Sequence, residues 1–241
     1  MEGSRQQIEQ LGGTVSTVPS FTVAAHELKS PLSLIRQLAL YLESADVSPH
    51  DVAQLAQQIA LTSERALRLT TDVTKVARLE DGLFTLEPLN PAVVCQEIID
   101  ELTPLYAAHG RSLRLVSPRR HALLGLANYD LLRRILANFI DNALHYSEPN
   151  TPVAVTASTR DHGRTIRLGV RDFGPALPAR TRQQLGRQAT VVHSRPGSSG
   201  MGVYIARQFA EAMHATVGVI NHRDGATFYV DIAASAQLRL L

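Results

Sequence analysis

The sequence lacks most of the features that stabilise or anchor a protein by means other than a packed core, namely disulfides, cysteine-based metal sites and membrane helices. Among its 241 residues there is one cysteine, Cys95, and there is no tryptophan. A single cysteine can form neither an intrachain disulfide nor a cysteine-based metal site, so folding requires no oxidising compartment. No apolar run approaches the roughly 20 residues of a membrane helix, and no basic flank precedes an apolar stretch near residue 1. We therefore expect a soluble, cytoplasmic chain without membrane contact.

An excess of one charge is also missing. Lys and Arg together number 24 and Asp and Glu number 22, which gives a formal net charge of +2. So small a net charge, without a long basic segment, argues against nucleic acid as a partner. Apolar residues make up 44% of the chain, which is enough for at least one ordinary hydrophobic core. Most of the chain should therefore be ordered.

Two long amphipathic helices are predicted after residues 1–20, which are interpreted as a linker or fragment edge. Polar residues and a proline at 46–49 separate the two helices and predict an antiparallel hairpin. Such a hairpin has too few layers to bury two apolar stripes, whereas a two-fold axis would bury them in a four-helix bundle. We therefore expect a homodimer. The apolar seam, spaced by alternating steps of four and three, consists of Phe21, Ala25, Leu28, Leu32, Ile35, Ala39 and Leu42, then Val52, Leu55, Ile59, Thr62, Ala66, Leu69, Val73 and Val76.

Beyond Gly82, short strand patterns alternate with helical ones, as is typical of an α/β domain. Asn90 and Pro91 predict the start of a helix, and Gly110 predicts its end. Pro104, inside that helix, is expected to kink or divide it. The other predicted elements are strands at 84–89, 112–116, 122–126, 153–159 and 165–171, helices over about 129–146 and 202–214, a polar lid-like stretch over 179–199, and a strand pair around 223–225.

A histidine lies at the edge of the helical seam. His26 follows the seam residue Ala25, and Glu27 follows His26. A carboxylate beside an imidazole can orient the ring and accept its proton, which makes the free ring nitrogen a better nucleophile. Pro31 removes the N–H that the Glu27 carbonyl would accept, a defect of roughly 3 kcal/mol in a helix interior. The combination indicates a nucleophilic histidine rather than an ordinary surface one.

The segment 21–31 resembles the phosphoacceptor box of bacterial sensor histidine kinases, in which a Phe is followed by His-Glu-Leu-Arg/Lys-Thr/Ser-Pro-Leu. The resemblance implies that His26 is the phosphorylated residue and that Glu27 is its base. Ser30 stands where the family has a Thr or Ser implicated in dephosphorylating the partner protein.

Two asparagines lie four residues apart on a predicted helix, and therefore on one face of it. Asn138 and Asn142 could hold a hydrated Mg²⁺ whose charge is met mostly by substrate phosphates. Paired helical asparagines alone are more often ordinary polar surface. Their order and spacing resemble the N box of the same family, which implies Asn142 as the Mg²⁺-binding amide and Asn138 as a supporting one. His145 replaces the usual Lys or Arg, so the implied phosphate contact is weaker or pH-dependent, and Tyr146 fits the aromatic position beside the nucleotide.

An aspartate follows the predicted strand 165–171. A strand-end Asp172 can accept a hydrogen bond from an adenine amino group, and Gly174 lets the backbone approach the ring. The segment resembles the family's Asp-x-Gly-x-Gly box, although Ala176 replaces its second glycine.

A glycine-rich segment, 196–203, precedes the last predicted helix. Backbone N–H groups there can converge on an anion, and the helix dipole adds to the attraction, although such an entrance is about as often a mere turn. It resembles the family's second glycine box, which implies that Gly197, Gly200 and Gly202 contact the ATP phosphates. In the closing strand, Thr227 is implied to assist adenine binding.

Taken in order, the four boxes resemble a dimeric histidine kinase core. The resemblance implies a helical dimerisation and phosphotransfer domain over 21–82, followed over 83–241 by an α/β sandwich ATP-binding domain of the Bergerat type, shared with gyrase, Hsp90 and MutL. It also implies Mg-ATP as cofactor, transfer of the γ-phosphoryl group to His26, and passage to an aspartate on a response regulator receiver domain. Because the sequence contains neither a sensor domain nor a membrane span, we expect it to be part of a longer, membrane-anchored parent protein.

Two alternatives stay open. One is a degenerate, dimeric ATP-binding scaffold or response-regulator phosphatase that acts through Ser30. It is favoured by His145, by Ala176 and by the lack of a Phe pair around 185–187, where the family has its lid box. The other is a stand-alone ATPase, which Asn138 disfavours because it occupies the position of the general base.

Overall fold

A computed structural model describes residues 18–43, 48–79, 84–116, 124–148, 150–176 and 201–235. The chain divides into two compact units between Val73 and Thr74. Within the described ranges, no helix combines the length and the apolar character needed to cross a membrane.

The first unit contains α1 (Val18–Leu42) and most of α2 (Pro49–Arg78), whose last residues, 74–78, fall in the second unit. The hydroxyl of Ser48 accepts a hydrogen bond of 3.2 Å from the Asp51 backbone N–H and donates one of 2.7 Å to the Asp51 carboxylate. Ser48 therefore caps the N-terminal end of α2 by giving the Asp51 N–H, in its first turn, a hydrogen-bond acceptor. Both predicted helices are present. Pro31 lies inside α1 without ending it.

Part of the predicted seam stays exposed in the single chain. Leu32 and Val52, both members of that seam, are 57% and 42% exposed. Other large apolar side chains on the same helices, including Leu61 at 54%, are exposed as well. Leu61 lies outside the seam; for Leu32 and Val52, which both belong to it, the exposure is typical of a surface that packs against another molecule.

The second unit contains a five-stranded mixed sheet and a two-stranded one. In the larger sheet the strand order is β2-β4-β5-β7-β6, with β2 parallel to β4 and all other neighbours antiparallel. In the smaller sheet β1 pairs antiparallel with β3. The strands are β1 (Glu87–Leu89), β2 (Ser112–Val116), β3 (Gly125–Ala127), β4 (Pro152–Arg160), β5 (Thr165–Arg171), β6 (Thr216–His222) and β7 (Gly225–Ala233).

Among the described residues of this unit, the sheet is accompanied by the α-helices α3 (Pro91–Ala108), α4 (Tyr129–Tyr146) and α5 (Met201–Ala212). The side chain of Asn90 caps α3 by accepting from the Ala92 N–H, and that of Asn128 caps α4 by accepting from the Leu131 N–H. Gly110, with φ of +64°, follows the end of α3, as predicted.

The core lies between these helices and one face of the larger sheet. Alternate residues of each strand point to that face, and Val155, Leu168 and Val230 are fully buried on it. Phe139 of α4 meets Phe228 of β7 with ring centroids 5.8 Å apart. The remaining large buried side chains of α4 and α5 complete the layer, among them Leu132, Ile135, Leu136, Ile140, Ile205 and Phe209.

Tyr106 fixes α3 to α4. Its ring is buried, and its hydroxyl donates a 2.7 Å hydrogen bond to the Ile140 carbonyl. Burial raises the pKa of Tyr106, and the negative charge of Asp141 raises it further. The phenol therefore stays protonated and keeps this bond throughout the ordinary pH range.

Three sequence predictions differ from the structure in detail. Pro104 does not divide α3, because its missing N–H removes one bond from a helix that is held by its buried face. The first strand covers only residues 87–89 of the predicted 84–89, since its partner β3 has just three residues. The strand predicted at 122–126 corresponds to β3, which ends one residue later, at Ala127, directly before the α4 cap, while residues 122 and 123 lie outside the described ranges. The lid-like stretch predicted at 179–199 lies outside the described residues.

Cys95 should be inert in the folded protein. It is 0% exposed on the buried side of α3, and burial raises the pKa of its thiol to about 12. Because the thiolate is the reactive form, we expect no reaction with Ellman's reagent at mildly alkaline pH. In guanidinium chloride one thiol per chain should react. Fast labelling of the native protein would contradict the placement of Cys95.

Candidate functional site

Asp172 follows the last residue of β5 and is held against the start of β7. It is 2% exposed. Its backbone N–H donates to the Ala226 carbonyl at 2.9 Å, and its Oδ1 accepts from the Ala226 N–H at 3.0 Å. The carboxylate at the end of this strand therefore has a fixed position.

Gly225 makes the close approach of these two strands possible. Its φ is +134°, and a Cβ there would overlap the Asp172 carbonyl oxygen and lie 2.8 Å from Asp172 Oδ1. Only glycine adopts this conformation and leaves this space. Sequence reasoning assigned neither Gly225 nor Ala226 to the site. The Asp-Gly pair between two strands was the available signal for Gly225, whereas Ala226 acts through its backbone and has no side-chain signal.

The loop after Asp172 is tied to the end of α4. The Phe173 carbonyl accepts a 2.7 Å hydrogen bond from the Glu148 N–H, and Gly174 beside it is buried. The end of β5 and the C-terminal end of α4, where Asn142 to Tyr146 lie, therefore meet. The structure thus brings two of the sequence-predicted motifs together.

Asn138 and Asn142 lie one turn apart on α4. The Asn138 Nδ2 donates to the Gly202 carbonyl at 3.4 Å, which joins α4 to the first turn of α5. The Asn142 Nδ2 is buried and has no hydrogen-bond partner among the described residues. A buried, unpaired amide costs about 1 to 3 kcal/mol, so a polar group from outside the described chain is expected to complete this site.

The donor set at α4 fits a magnesium ion bound together with phosphates. An asparagine amide offers both an oxygen, which can ligate Mg²⁺, and an N–H₂ group, which can donate to a phosphate oxygen. The described ranges hold no group of three or more His, Cys, Asp or Glu that could form a metal site of their own. A cation here would therefore depend on amide oxygens and on the phosphates it accompanies.

His145 and Tyr146 end α4. The His145 Nε2 lies 3.7 Å from Asp141 Oδ2, one turn earlier, and the two side chains are 50% and 57% exposed. Asp141 therefore competes with any bound phosphate for contact with the His145 ring. Tyr146 is half-buried.

Thr227 points away from the buried face of the sheet. Its neighbours Ala226 and Phe228 are buried towards the helices, so its own side chain lies on the opposite face. There its Oγ1 is 2.9 Å from the Nε2 of His222. The role implied for Thr227 in adenine binding stays a prediction.

His26, Glu27 and Ser30 all lie within α1. Glu27 is half-buried and Ser30 is exposed, one turn after His26, while the His26 side chain lies outside the described atoms. Gly197 and Gly200 also lie outside the described residues. Gly202 is the second residue of α5.

Comparison with known proteins agrees with this arrangement. Residues 127–236 match the family described as histidine kinase-, DNA gyrase B-, and HSP90-like ATPase. Over 220 residues the chain is 29% identical to the sensor protein GacS of Pseudomonas syringae pv. syringae, an alignment that covers 86% of this chain and 24% of GacS. The chain spans about a quarter of the length of the first curated relatives that it matches.

Two solved structures share the fold. Full-length ShkA in complex with AMPPNP superposes with a TM-score of 0.60 at 25% identity, covering 90% of this chain and 46% of ShkA. Histidine kinase ThkA in complex with the response regulator protein TrrA gives a TM-score of 0.66 at 18% identity, covering 92% of this chain and 63% of ThkA.

The family match covers the part of the chain that contains Asp172, Asn142 and Gly202. The alignment with GacS extends the similarity to most of the chain. Residues 127–236 thus match the histidine kinase-, DNA gyrase B- and HSP90-like ATPase family, and over most of its length the chain is similar to two-component sensor histidine kinases.

Proposed function

We propose that this core transfers the γ-phosphoryl group of Mg-ATP to His26 and then to an aspartate on a response regulator receiver domain. The observation that carries the proposal is the buried Asn142 amide without a partner among the described residues, on the helix tied to the loop after Asp172. The same chain carries the histidine segment on α1. The ShkA complex with AMPPNP and the ThkA complex with TrrA support the nucleotide and the partner.

Asp172 would recognise the adenine base. Its carboxylate is fixed by the Ala226 N–H, so an adenine amino group meets an acceptor that needs no reorganisation. The adjacent Gly174 has no side chain to hinder the approach of the ring.

The phosphates would lie between α4 and the start of α5. Asn142 would offer its amide oxygen to Mg²⁺ and its N–H₂ group to a phosphate oxygen, while Asn138 holds Gly202 beside it. Gly197, Gly200 and Gly202 would add backbone N–H groups at the N-terminal end of α5, where the helix dipole favours anions. Bound Mg²⁺ would neutralise the charge that develops on the phosphates.

At His26 the reaction forms one bond and breaks one bond. A ring nitrogen attacks the γ-phosphorus in line, the bond from phosphorus to the β–γ bridging oxygen breaks, and ADP leaves. The proton on the other ring nitrogen passes to the Glu27 carboxylate, so the phosphohistidine is neutral at the ring. The phosphoryl group then moves to a carboxylate of the receiver domain, and Ser30 would assist its later hydrolysis there.

The two predicted domains would divide this work. We propose that residues 21–82 form the dimerisation and phosphotransfer domain and residues 83–241 the ATP-binding domain. Leu32 and Val52 support the dimer, because they belong to the predicted seam and the single chain leaves them exposed. The whole parent protein would act in the cytoplasm, anchored or not to a membrane.

Replacing His26 by glutamine should abolish labelling of the protein by γ-labelled ATP, because the amide has no nucleophilic nitrogen. The label on the unmodified chain should be acid-labile, as expected for a phosphorus–nitrogen bond. His50→Gln is a matched control, since His50 is an exposed histidine on α2 and outside the site, and it should be labelled like the unmodified chain.

The same assay separates the alternatives. Nucleotide binding without any label would indicate a scaffold or phosphatase, which the 3.7 Å pairing of His145 with Asp141 favours. Steady phosphate release that His26→Gln leaves unchanged would indicate an ATPase.

Asp172→Asn should weaken ATP binding about tenfold to a hundredfold, because a hydrogen bond to a charged acceptor is lost. The asparagine oxygen can still accept from the Ala226 N–H, so the fold should persist. Inosine triphosphate carries a carbonyl oxygen in place of the amino group, and the new amide can donate to it. Calorimetric titration should therefore show the preference for ATP over inosine triphosphate reduced or reversed, and an unchanged preference would count against Asp172.

Leu32→Glu should weaken the dimer, because each of the two equivalent helices would bury a carboxylate in the seam. We expect the dissociation constant, measured by sedimentation equilibrium, to rise about a hundredfold or more. Leu61→Glu is the matched control, since Leu61 is similarly exposed, at 54% against 57%, but lies outside the seam. Equal weakening by both substitutions would contradict the predicted seam.

A further inference from the structure

Arg171, the last residue of β5, makes three contacts around Asp172. One guanidinium nitrogen, Nη1, donates to the Asp172 carbonyl oxygen. The other, Nη2, lies 2.6 Å from the Asp224 carboxylate, in the turn between β6 and β7. The guanidinium carbon lies 4.4 Å from the centroid of the Phe173 ring.

These contacts join two segments that are far apart in the chain. On one side is the loop that begins with Asp172 and Phe173, and on the other is the turn that leads into Gly225. A Cβ at Gly225 would lie 2.6 Å from Arg171 Nη1, so the guanidinium fills the space beside that glycine. The Arg171 side chain is only 15% exposed, whereas Asp224 is 66% exposed.

We propose that Arg171 is a positioning residue for base recognition. The inference depends on the proposed nucleotide site, in which Asp172 contacts adenine. The Ala226 N–H holds one oxygen of the Asp172 carboxylate, and Arg171 acts on the peptide group that follows Asp172. Arg171 fixes that peptide through its carbonyl oxygen, and with it the direction in which the carboxylate points.

The chain contains a second arginine in nearly the same setting. Arg167, four residues earlier on β5, makes two 2.7 Å hydrogen bonds to Asp231 of β7 and stacks 3.6 Å from the centroid of the Tyr229 ring. It joins β5 to β7 through an aspartate and an aromatic ring, the same kinds of partner that Arg171 has, but none of these contacts involves Asp172. Arg167 therefore controls for the loss of an arginine–aspartate pair as such.

Lysine is the informative substitution at both positions. It keeps the positive charge beside the aspartate but lacks the planar fork, so it cannot donate in two fixed directions or stack on the ring in the same way. Arg171→Lys can hold Asp224 while releasing the Asp172 carbonyl. Arg167→Lys makes the matching change away from the site.

The test measures binding of AMPPNP and of inosine triphosphate to both variants by calorimetry, with urea unfolding alongside. We expect Arg171→Lys to weaken AMPPNP binding about tenfold and to leave inosine triphosphate binding within about twofold, since only the contact to the amino group is lost. Arg167→Lys should leave the binding of both nucleotides within about twofold, whatever it does to unfolding.

Asp224→Ala provides a second variant if Arg171→Lys does not fold. It removes the outer partner of the guanidinium without altering β5, and it should also reduce the ratio of AMPPNP to inosine triphosphate affinity. Unchanged AMPPNP binding in the folded variants, or equal losses for both nucleotides, would overturn the role of Arg171. If Asp172→Asn also leaves ATP binding unchanged, the proposed nucleotide site fails instead.

Discussion

The structure of the candidate site depends on one close approach, between the end of β5 and the beginning of β7. Asp172 exchanges two hydrogen bonds with the backbone of Ala226, and this is possible only because Gly225 has no side chain and adopts a positive φ. These bonds fix the Asp172 carboxylate, at the end of β5, relative to the neighbouring strand β7. The five-stranded sheet and its helices position the candidate site in this way, and recognition of a base would need no folding of a flexible loop around that carboxylate.

The elements of the α/β unit follow from short-range patterns. The capping side chains of Asn90 and Asn128 and the turn between β4 and β5 are encoded by neighbouring residues, so the sequence predicts the corresponding boundaries well. Pairings between distant segments are not encoded in this way. The length of β1 is set by β3, and the partner of Asp172 is a backbone N–H more than fifty residues later, which no side-chain pattern reveals.

The candidate site combines groups that the fold satisfies with one that it does not. The Asn138 amide is used to hold the start of α5, whereas the Asn142 Nδ2 lacks a partner among the described residues. The spacing of the two asparagines predicts that they share a face, but only the packing of α5 against α4 distinguishes their roles. The same limit applies to Thr227: its position next to Gly225 and Ala226 is evident from the sequence, yet its pairing with His222 on the opposite face of the sheet is not.

The parallel pairing of β2 with β4 gives α4 a second role, as part of the connection between these two strands. Two parallel neighbours need a crossover, and here the chain between them runs through β3 and α4. The helix that carries both asparagines is therefore also the connection that allows Ser112 to pair with Pro152. An insertion or deletion in this helix would rotate the amides and strain the strand pairing together. The length of α4 is consequently constrained by the strand pairing as well as by the two amides.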